Sequence, residues 1–300
     1  MQKSFQEEKP TLYVVSTPIG NLKDMTFRAV EILKSVDLIL AEDTRTSSVL
    51  LSYHQVKKPL MSYHEFNKNN KEDQIISYLA EGKNLALISD AGTPGISDPG
   101  YEIIKRVIDE GFHVVSIPGA SAMLAALVTS GLIIQPFTFI GFLPRKISDQ
   151  KAVLESYKGR EETLIVYEAP SRVSKTLSVI KETLGDRKLS IHREMTKAFE
   201  TIIRTTVNEA VTMEMNPKGE YVLIIEGKTA SNEPILDVNE HYEELLKAGY
   251  PSKDAMKIVA EAHNLSKNEV YKRVKIERNI SWFFKVLYYN RYVHRQWEKE

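Results

Sequence analysis

The chain has 300 residues, of which 42% are hydrophobic, and this length suits roughly two domains of ordinary size. Its 40 basic and 40 acidic residues balance, so attraction to nucleic acid requires a local basic patch. The absence of cysteine excludes disulfides, thiolate metal sites and a cysteine nucleophile.

Short apolar runs recur along the chain, and most are separated by amphipathic segments of helix length. Continuous apolar runs indicate strands that are covered on both faces, and the alternation predicts a doubly wound α/β architecture. Thr26 precedes one amphipathic segment and is expected to cap its helix. The predicted strands are residues 12–15, 38–40, 85–88, 114–117, 137–142, 164–167 and 221–225.

Changes along the chain predict its domain organisation. A second series of strands and helices begins near residue 118, and the sequence becomes a polar linker after Gly227. The cleft between two α/β lobes is a usual place for a ligand. We predict an N-terminal α/β lobe at 1–118, a C-terminal α/β lobe at 119–230, a small helical region at 231–278 and an aromatic and basic tail at 279–300.

One uncharged stretch, residues 119–144, is long enough to cross a bilayer. Because Gly131 and Pro136 interrupt it, we interpret it as a buried helix followed by a buried strand, and we expect no membrane contact. The polar N-terminal segment has no apolar core of a signal peptide, so we expect a cytoplasmic protein.

The small helical region is predicted to contain two or three short helices, with Ser266 as a cap. Residues 253–274 have a helix-turn-helix pattern, which serves either as a nucleic-acid module or as a packing element. The tail interleaves aromatic residues with cations. An RNA-stacking segment, an amphipathic docking helix and a disordered end all remain open for it.

The most informative segment is residues 90–100, Asp-Ala-Gly-Thr-Pro-Gly-Ile-Ser-Asp-Pro-Gly. It lies between a strand pattern and a helix pattern, at the sheet edge where open α/β sheets bind ligands. Its three glycines permit positive φ and a close approach of a ligand to the backbone. Its aspartates, Asp90 and Asp98, are suited to accept hydrogen bonds from an amine or a ribose hydroxyl.

Other segments also lie at predicted strand ends, so the fold is expected to gather them at one sheet edge. They are Ser-Thr-Pro-Ile-Gly-Asn-Leu at 16–22, Ala-Glu-Asp-Thr-Arg at 41–45, Pro-Gly-Ala-Ser-Ala at 118–122, Gly-Phe-Leu-Pro-Arg-Lys at 141–146 and Tyr-Glu-Ala-Pro-Ser-Arg at 167–172.

In this order, the segments closely resemble the tetrapyrrole methylase (class III methyltransferase) superfamily, and within it the branch that methylates ribosomal RNA. The similarity runs from about residue 12 to 227 and more loosely to about 274. The Gly-x-Gly-Pro-Gly-Asp type of first loop, usual in the tetrapyrrole branch, is missing here.

The resemblance implies an α/β, two-lobed fold with S-adenosylmethionine in the cleft between the lobes, and a homodimer. It also implies methylation of the ribose 2′-hydroxyl of a cytidine in the decoding region of 16S rRNA, on the small ribosomal subunit or its precursor. By position, it assigns donor contacts to Pro18, Asp90, Gly92, Thr93, Ile96, Ser121, Ala122 and Tyr167.

Methyl transfer from a sulfonium to a hydroxyl needs in-line alignment and an acceptor for the proton. The candidate bases are Glu42, Asp43 and Glu168, which the sequence does not separate. No histidines have close ligand spacing, so we expect no metal. Phosphate contacts are expected from the cations nearest the inferred cleft, Arg45, Arg145, Lys146, Arg172, Arg193 and Lys197.

Two alternative functions stay open at this point. The first keeps the fold and donor but methylates a tetrapyrrole carbon, as a precorrin-type C-methyltransferase does. The second is a non-catalytic RNA-binding assembly factor with a vestigial pocket.

Overall fold

The computed structural model describes residues 2–4, 6–65, 68–229, 237–263 and 265–277. The chain forms two compact units, Met1–Lys228 (unit 1) and Thr229–Glu300 (unit 2). The tail predicted at 279–300 lies outside the described residues, and the lobe boundaries at 118 and 230 remain predictions.

Unit 1 begins with a parallel sheet. Its strands are β1 Thr11–Val15, β2 Leu38–Ala41, β3 Leu60–Ser62, β4 Leu85–Ile88 and β5 His113–Ile117, and its helices are α1 Phe27–Ser35, α2 Thr44–Tyr53, α3 Lys68–Ala80 and α4 Tyr101–Asp109. The strand order is β3-β2-β4-β1-β5, and every pairing is parallel. Separate apolar cores bury both faces, so the doubly wound prediction is confirmed for this sheet. The predicted cap is also confirmed, because the Thr26 hydroxyl accepts a hydrogen bond from the Ala29 N–H.

A second, mixed sheet follows. Its elements are α5 Ala122–Thr129, β6 Phe137–Phe142, α6 Ile147–Glu155, β7 Thr163–Glu168, α7 Val173–Leu184, β8 Lys188–Arg193, β9 Thr201–Thr206, α8 Val207–Ala210 and β10 Tyr221–Ile225. In the order β6-β7-β10-β8-β9, only β6 and β7 are parallel. The doubly wound prediction is therefore wrong for this sheet, where antiparallel pairs join strands without crossover helices.

The sequence reading missed β3, β8 and β9. In β8, apolar Leu189 and Ile191 alternate with polar Ser190 and His192, so no continuous apolar run marks the strand. Both polar side chains are nevertheless fully buried, and the Ser190 Oγ lies 2.8 Å from the His192 Nε2. Burial lowers the pKa of His192 to about 4. The alternating pattern of β8 indicates one solvent-exposed face, but tertiary packing buries the face that carries Ser190 and His192.

The uncharged stretch forms α5 and β6, as predicted, but these elements are not deeply buried. In α5, only Ala126 and Leu127 are buried, whereas Leu124 and Val128 are 47% and 66% exposed. The expectation of a buried helix and strand was therefore wrong. An apolar sequence indicates that a segment is unfavourable in water, but it does not show which other part of the fold packs against it. In the part of the chain that the structure describes, no helix is long and apolar enough to cross a membrane.

Unit 2 is a small helical cluster. It contains α9 Val238–Lys247, α10 Ser252–Ala262 and α11 Lys267–Tyr271, and a wider helical turn at Lys272–Glu277. Its apolar core includes Val238, Tyr242, Val259 and Val270. The predicted Ser266 cap is confirmed as a capping box, since the side chain of Glu269 reciprocates the bond.

Candidate functional site

A cavity of about 580 Å³ lies in unit 1, between the loops of the parallel sheet and one edge of the mixed sheet. We call its two sides the first wall and the second wall. The first wall comprises Ser16, Ile19, Ala91, Gly92, Thr93, Ile96, Ser97, Asp98, Ser116, Pro118, Gly119, Ser121 and Ala122. The second comprises Phe142, Tyr167, Glu168, Ala169, Pro170, Met195, Glu220, Tyr221 and Val222, and Met123 and Leu124 of α5 complete the lining.

Strand order explains the first wall. Because β4, β1 and β5 are neighbours, the loops at their carboxyl ends meet, as expected in an open α/β sheet. The first two loops are joined by backbone bonds, since the Thr17 N–H donates to the Gly92 carbonyl at 2.8 Å and the reverse bond measures 3.2 Å. The hydroxyls of Ser16 and Thr93 lie 2.8 Å apart. The wall is therefore held largely by backbone and small side chains.

Two glycines allow this close assembly. A Cβ on Gly119 would lie 2.8 Å from the Cβ of Ser16, so a side chain there would push apart the loops that follow β5 and β1. Gly100 has a φ of +147°, and a Cβ there would lie 3.2 Å from the backbone nitrogen of Gly95. Only glycine satisfies both the conformation and the space at Gly100.

A carboxyl group, Asp98, lines the first wall. Burial and the nearby carboxylates of Glu42 and Asp90 together raise the pKa of Asp98 to about 7, while a hydrogen bond with the Ser89 side chain opposes the shift. Burial also raises the pKa of Glu42 and of Asp90. This side of the cavity therefore favours a cationic ligand.

Aromatic rings form much of the second wall. The Tyr167 hydroxyl accepts a hydrogen bond from the Met123 N–H at 3.0 Å, which joins β7 to the first turn of α5. Its ring meets those of Phe139 and Phe142 edge-on, with centroids 4.9 and 5.7 Å away. Since Phe142 is 55% exposed, its ring is available to a ligand.

Glu168 lines the same wall but is occupied by protein donors. Its buried carboxylate accepts from the Ala169 N–H at 2.8 Å and the Thr176 hydroxyl at 2.6 Å, and it pairs with the Arg172 Nε at 3.2 Å. Arg172 also donates to the carbonyls of residues 143 and 144. These two side chains hold the 141–146 loop in place.

Lys197 connects the second wall to the β1 loop. Its ammonium pairs with Glu194 at 3.0 Å and with Glu220 at 3.1 Å. Its aliphatic stem packs against Gly20, where a Cβ would lie 2.5 Å from the lysine Cγ. Nearby Glu194 and Thr196 have positive φ of 53° and 66°, so the segment is strained as well as cross-linked.

The structure brings most of the predicted donor contacts together. Gly92, Thr93, Ile96, Ser121, Ala122 and Tyr167 line the cavity. Pro18 and Asp90 do not line it; Pro18 is buried, and the Asp90 carboxylate accepts from the Asp43 N–H at 3.2 Å. The Ser121 side chain makes no capping bond to α5, which leaves its hydroxyl open to a ligand.

The other predicted residues are more dispersed. Glu42 lies behind the 90–100 loop, where its carboxylate accepts from the Asp90 N–H at 3.4 Å. Asp43 caps α2 and pairs with Arg45, which holds the pKa of Asp43 at about 2. Arg193 donates to the carbonyl of Lys218.

Arg145 and Lys146 are exposed and make no ion pair with any described residue. From the sequence, Asp98 is predicted only to accept a ligand hydrogen bond, and Phe142, Met195 and Glu220 are not assigned to the site. Asp98 lies in the 90–100 motif and Phe142 in the 141–146 motif, so their sequence context was the available signal. Met195 and Glu220 lie in none of the motifs, and no signal in the sequence marks them.

Within the described ranges, no cluster of three or more histidine, cysteine or acidic side chains is arranged to hold a metal ion. The cavity instead offers hydroxyls, backbone, aromatic rings and a partly buried carboxyl group. Such a lining is typical of an organic-ligand pocket.

Comparison with known proteins identifies this architecture. The family model described as tetrapyrrole (corrin/porphyrin) methylases matches residues 11–211, so the chain belongs to the tetrapyrrole methylase family. The crystal structure of diphthine synthase shares the fold, with a TM-score of 0.57, 13% identity, and coverage of 74% of this chain and 91% of that one.

The most informative relatives carry one name, ribosomal RNA small subunit methyltransferase I. The protein from Bacillus subtilis (strain 168) is 47% identical over 89% of this chain and 94% of its own length. The Halalkalibacterium halodurans protein is 45% identical over 90% and 97%, and the Synechocystis protein 42% over 87% and 95%. The resemblance inferred from the motifs is confirmed.

Proposed function

We propose that this protein transfers a methyl group from S-adenosylmethionine to small-subunit ribosomal RNA, and that the acceptor is the ribose 2′-hydroxyl of a cytidine in the decoding region. The observation that carries the proposal is the name shared by relatives that align over about 90% of the chain. The cavity supports it, because the family motifs meet there. The choice of hydroxyl and nucleoside comes from the motif resemblance.

The cavity suits the donor in size and charge. Its volume of about 580 Å³ falls in the range of small-molecule sites. When bound, the donor supplies a methyl group on a positively charged sulfur. The residues that would hold it are the backbone around Gly92 and the open hydroxyl of Ser121, while Tyr167 lines the opposite side.

The RNA is proposed to approach past Phe142. Its exposed ring suits stacking with an unpaired base, and Arg145 and Lys146 follow it by three and four residues. Unpaired cations are the ones available to bind phosphate. Arg45, which is 90% exposed beside Asp43, and Arg193, which donates to one carbonyl, also remain proposed contacts. Arg172 and Lys197 are less available, because each binds two or more protein groups.

We also propose a homodimer. Exposed apolar side chains cluster in sequence around α5 and β6, and a second copy of the chain would remove them from water. They are Leu124, Val128, Ile133, Ile134 and Phe137. Sedimentation equilibrium is expected to give a dimer for the wild type and a smaller species for Val128→Glu; a wild-type monomer would contradict this.

The test uses methyl-labelled S-adenosylmethionine and 30S subunits isolated from cells that lack the modification. We expect label in a 2′-O-methylated cytidine of the decoding region. Transfer to a precorrin but not to rRNA would favour the tetrapyrrole alternative. Intact RNA binding without any donor binding in calorimetry would favour the non-catalytic alternative.

A further inference from the structure

We propose that Asp98 is the catalytic base, which accepts the proton of the ribose hydroxyl during methyl transfer. The inference rests on the proposed function and deepens it by assigning one residue of the cavity wall. Sequence reasoning placed this role on Glu42, Asp43 or Glu168. The geometry favours a fourth carboxyl group.

Position separates these candidates. Neither Glu42 nor Asp43 lines the cavity, and Asp43 is committed to Arg45 and to the start of α2. Glu168 does line it, but protein donors surround its carboxylate, which is fully shielded from solvent. A carboxylate whose oxygens already accept these bonds is a poor acceptor for a substrate proton.

Within the described part of the chain, the remaining carboxylates of the cavity wall are those of Glu220 and Asp98. Glu220 is 77% exposed and pairs with Lys197, so it faces solvent and a cation. The exposure of Asp98 lies between that of the enclosed Glu168 and that of the solvent-facing Glu220. It is half-buried in the wall of the cavity and pairs with no cation among the described residues.

The groups that face Asp98 come from several elements. Glu42 follows β2, Asp90 and Ser89 follow β4, and Tyr167 is the penultimate residue of β7. Burial raises the pKa of Tyr167, and the negative charge of Asp98 adds to that rise. Burial and the two neighbouring carboxylates raise the pKa of Asp98 to about 7. A base with a pKa near the working pH combines a useful ionised fraction with a real affinity for the proton.

The reaction balances with this single acceptor. The ribose oxygen forms a bond to the methyl carbon, the carbon–sulfur bond breaks, and its electron pair returns to sulfur, which becomes a neutral thioether. The hydroxyl proton moves to the Asp98 carboxylate and later leaves to water. No further reactant is required.

The main experiment compares the full-length wild type with Asp98→Asn, which keeps the shape and an oxygen for the Ser89 hydroxyl but takes up no proton. We expect single-turnover methylation of 30S subunits to fall about 10²- to 10⁴-fold. The Kd of S-adenosylmethionine, measured by calorimetry at pH 5 where Asp98 of the free wild type is protonated and therefore neutral like asparagine, is expected to stay within about twofold. The matched control is Asp109→Asn, an exposed partner of Lys105 on α4, with wild-type rate and affinity.

The outcomes separate this proposal from the proposed function. If the wild-type protein does not methylate 30S subunits, the proposed function is contradicted. A wild type that is active with an equally active Asp98→Asn overturns only the role of Asp98. A large loss of donor affinity in the variant also overturns it, because Asp98 would then hold the donor rather than take the proton.

A second measurement does not need activity. The pKa of Asp98 is raised from 3.8 in the unfolded chain to about 7 in the folded protein, so the folded state binds the proton more tightly. This proton contributes its full stabilisation below about pH 3.8, and the contribution is lost as the pH rises towards 7. Asp98→Asn has no such loss. We therefore expect its Tm to exceed that of the wild type at pH 8, and the difference to shrink towards pH 4. A pH-independent difference would contradict the proposal.

The pH dependence of the methylation rate gives a further test of Asp98. In the wild type, the single-turnover rate should rise with pH and level off at or below about pH 7, because the bound cationic donor lowers the pKa of a neighbouring carboxyl group. This rise should be absent from the residual activity of Asp98→Asn. If the variant keeps the rise, another group accepts the proton.

Discussion

The first wall of the cavity is made mainly of backbone and small side chains in loops, whereas the second is made of large side chains at strand ends. Thr17 and Gly92 exchange backbone hydrogen bonds in the first wall. In the second, Tyr167, Phe142 and Glu168 are positioned by contacts with other side chains or with a neighbouring helix.

This difference determines how each wall should respond to mutation. A backbone-built wall is sensitive to any added Cβ, while a side-chain-built wall is sensitive to the loss of a particular polar atom. Single substitutions in each wall distinguish these two kinds of sensitivity.

Glu168→Gln should be the most damaging. The buried carboxylate accepts from three protein donors, and an amide satisfies them incompletely while leaving Arg172 without its counter-charge. We expect a loss of about 3 kcal/mol in the free energy of unfolding, measured by urea denaturation. Glu155→Gln, in an exposed pair with Lys158, is the control and should change little.

Activity per folded molecule then gives the second readout for Glu168→Gln. A fall of less than tenfold at low temperature fits a structural role. A fall of a hundredfold or more with unchanged stability would return Glu168 to the candidate bases.

Gly100→Ala tests the backbone-built wall. Its φ of +147° and the 3.2 Å approach to the Gly95 nitrogen leave no room for a methyl group. We expect a loss of about 2 kcal/mol in unfolding free energy and weaker donor binding in calorimetry. Gly159→Ala is the control, since a Cβ there meets nothing within 4 Å. Equal behaviour of the two variants would remove strain as the reason for this glycine.

Tyr167→Phe removes one polar atom where the second wall meets α5. The Met123 N–H would lose its acceptor, and we expect a cost of about 1 kcal/mol together with weaker donor affinity. Tyr157→Phe, on a tyrosine that stacks with Arg160 away from the cavity lining, is the matched control. Donor binding unchanged from the wild type would place the Tyr167 hydroxyl outside the ligand's reach.

Arg145→Ala and Lys197→Ala form a pair with small, opposite effects. Arg145 is unpaired among the described residues, so its loss should reduce the slope of log affinity for RNA against log salt by about 1 and leave stability unchanged. Lys197 is paired twice, so its loss should leave the slope unchanged and lower stability by less than about 1 kcal/mol. A change in salt slope for Lys197→Ala and a loss of stability for Arg145→Ala would instead assign RNA binding to Lys197 and a structural role to Arg145.

Much of the site was predictable because its signals are local. The run at 90–100 and the Ser121-Ala122 pair both line the cavity, and each follows an apolar strand that the sequence marks clearly. Pro18 and Asp90 lie in the same motifs but outside the lining, because a motif does not specify which of its side chains turn inward.

The less predictable residues depend on long-range packing. Met195 and Glu220 reach the cavity because β10 lies between β7 and β8, an order that an alternating strand such as β8 does not reveal. The double pairing of Lys197 and the enclosure of Glu168 also join residues that are distant or unremarkable in the sequence.

Strand hydrophobicity and glycine-rich turns are local properties of the chain, so they were enough to predict the α/β class, the family and the loops that line the cavity. Which carboxyl group lines the cavity with a pKa of about 7 could not be predicted in this way and required the folded structure. That property depends on burial and on the charges of Glu42 and Asp90, which the fold brings beside Asp98.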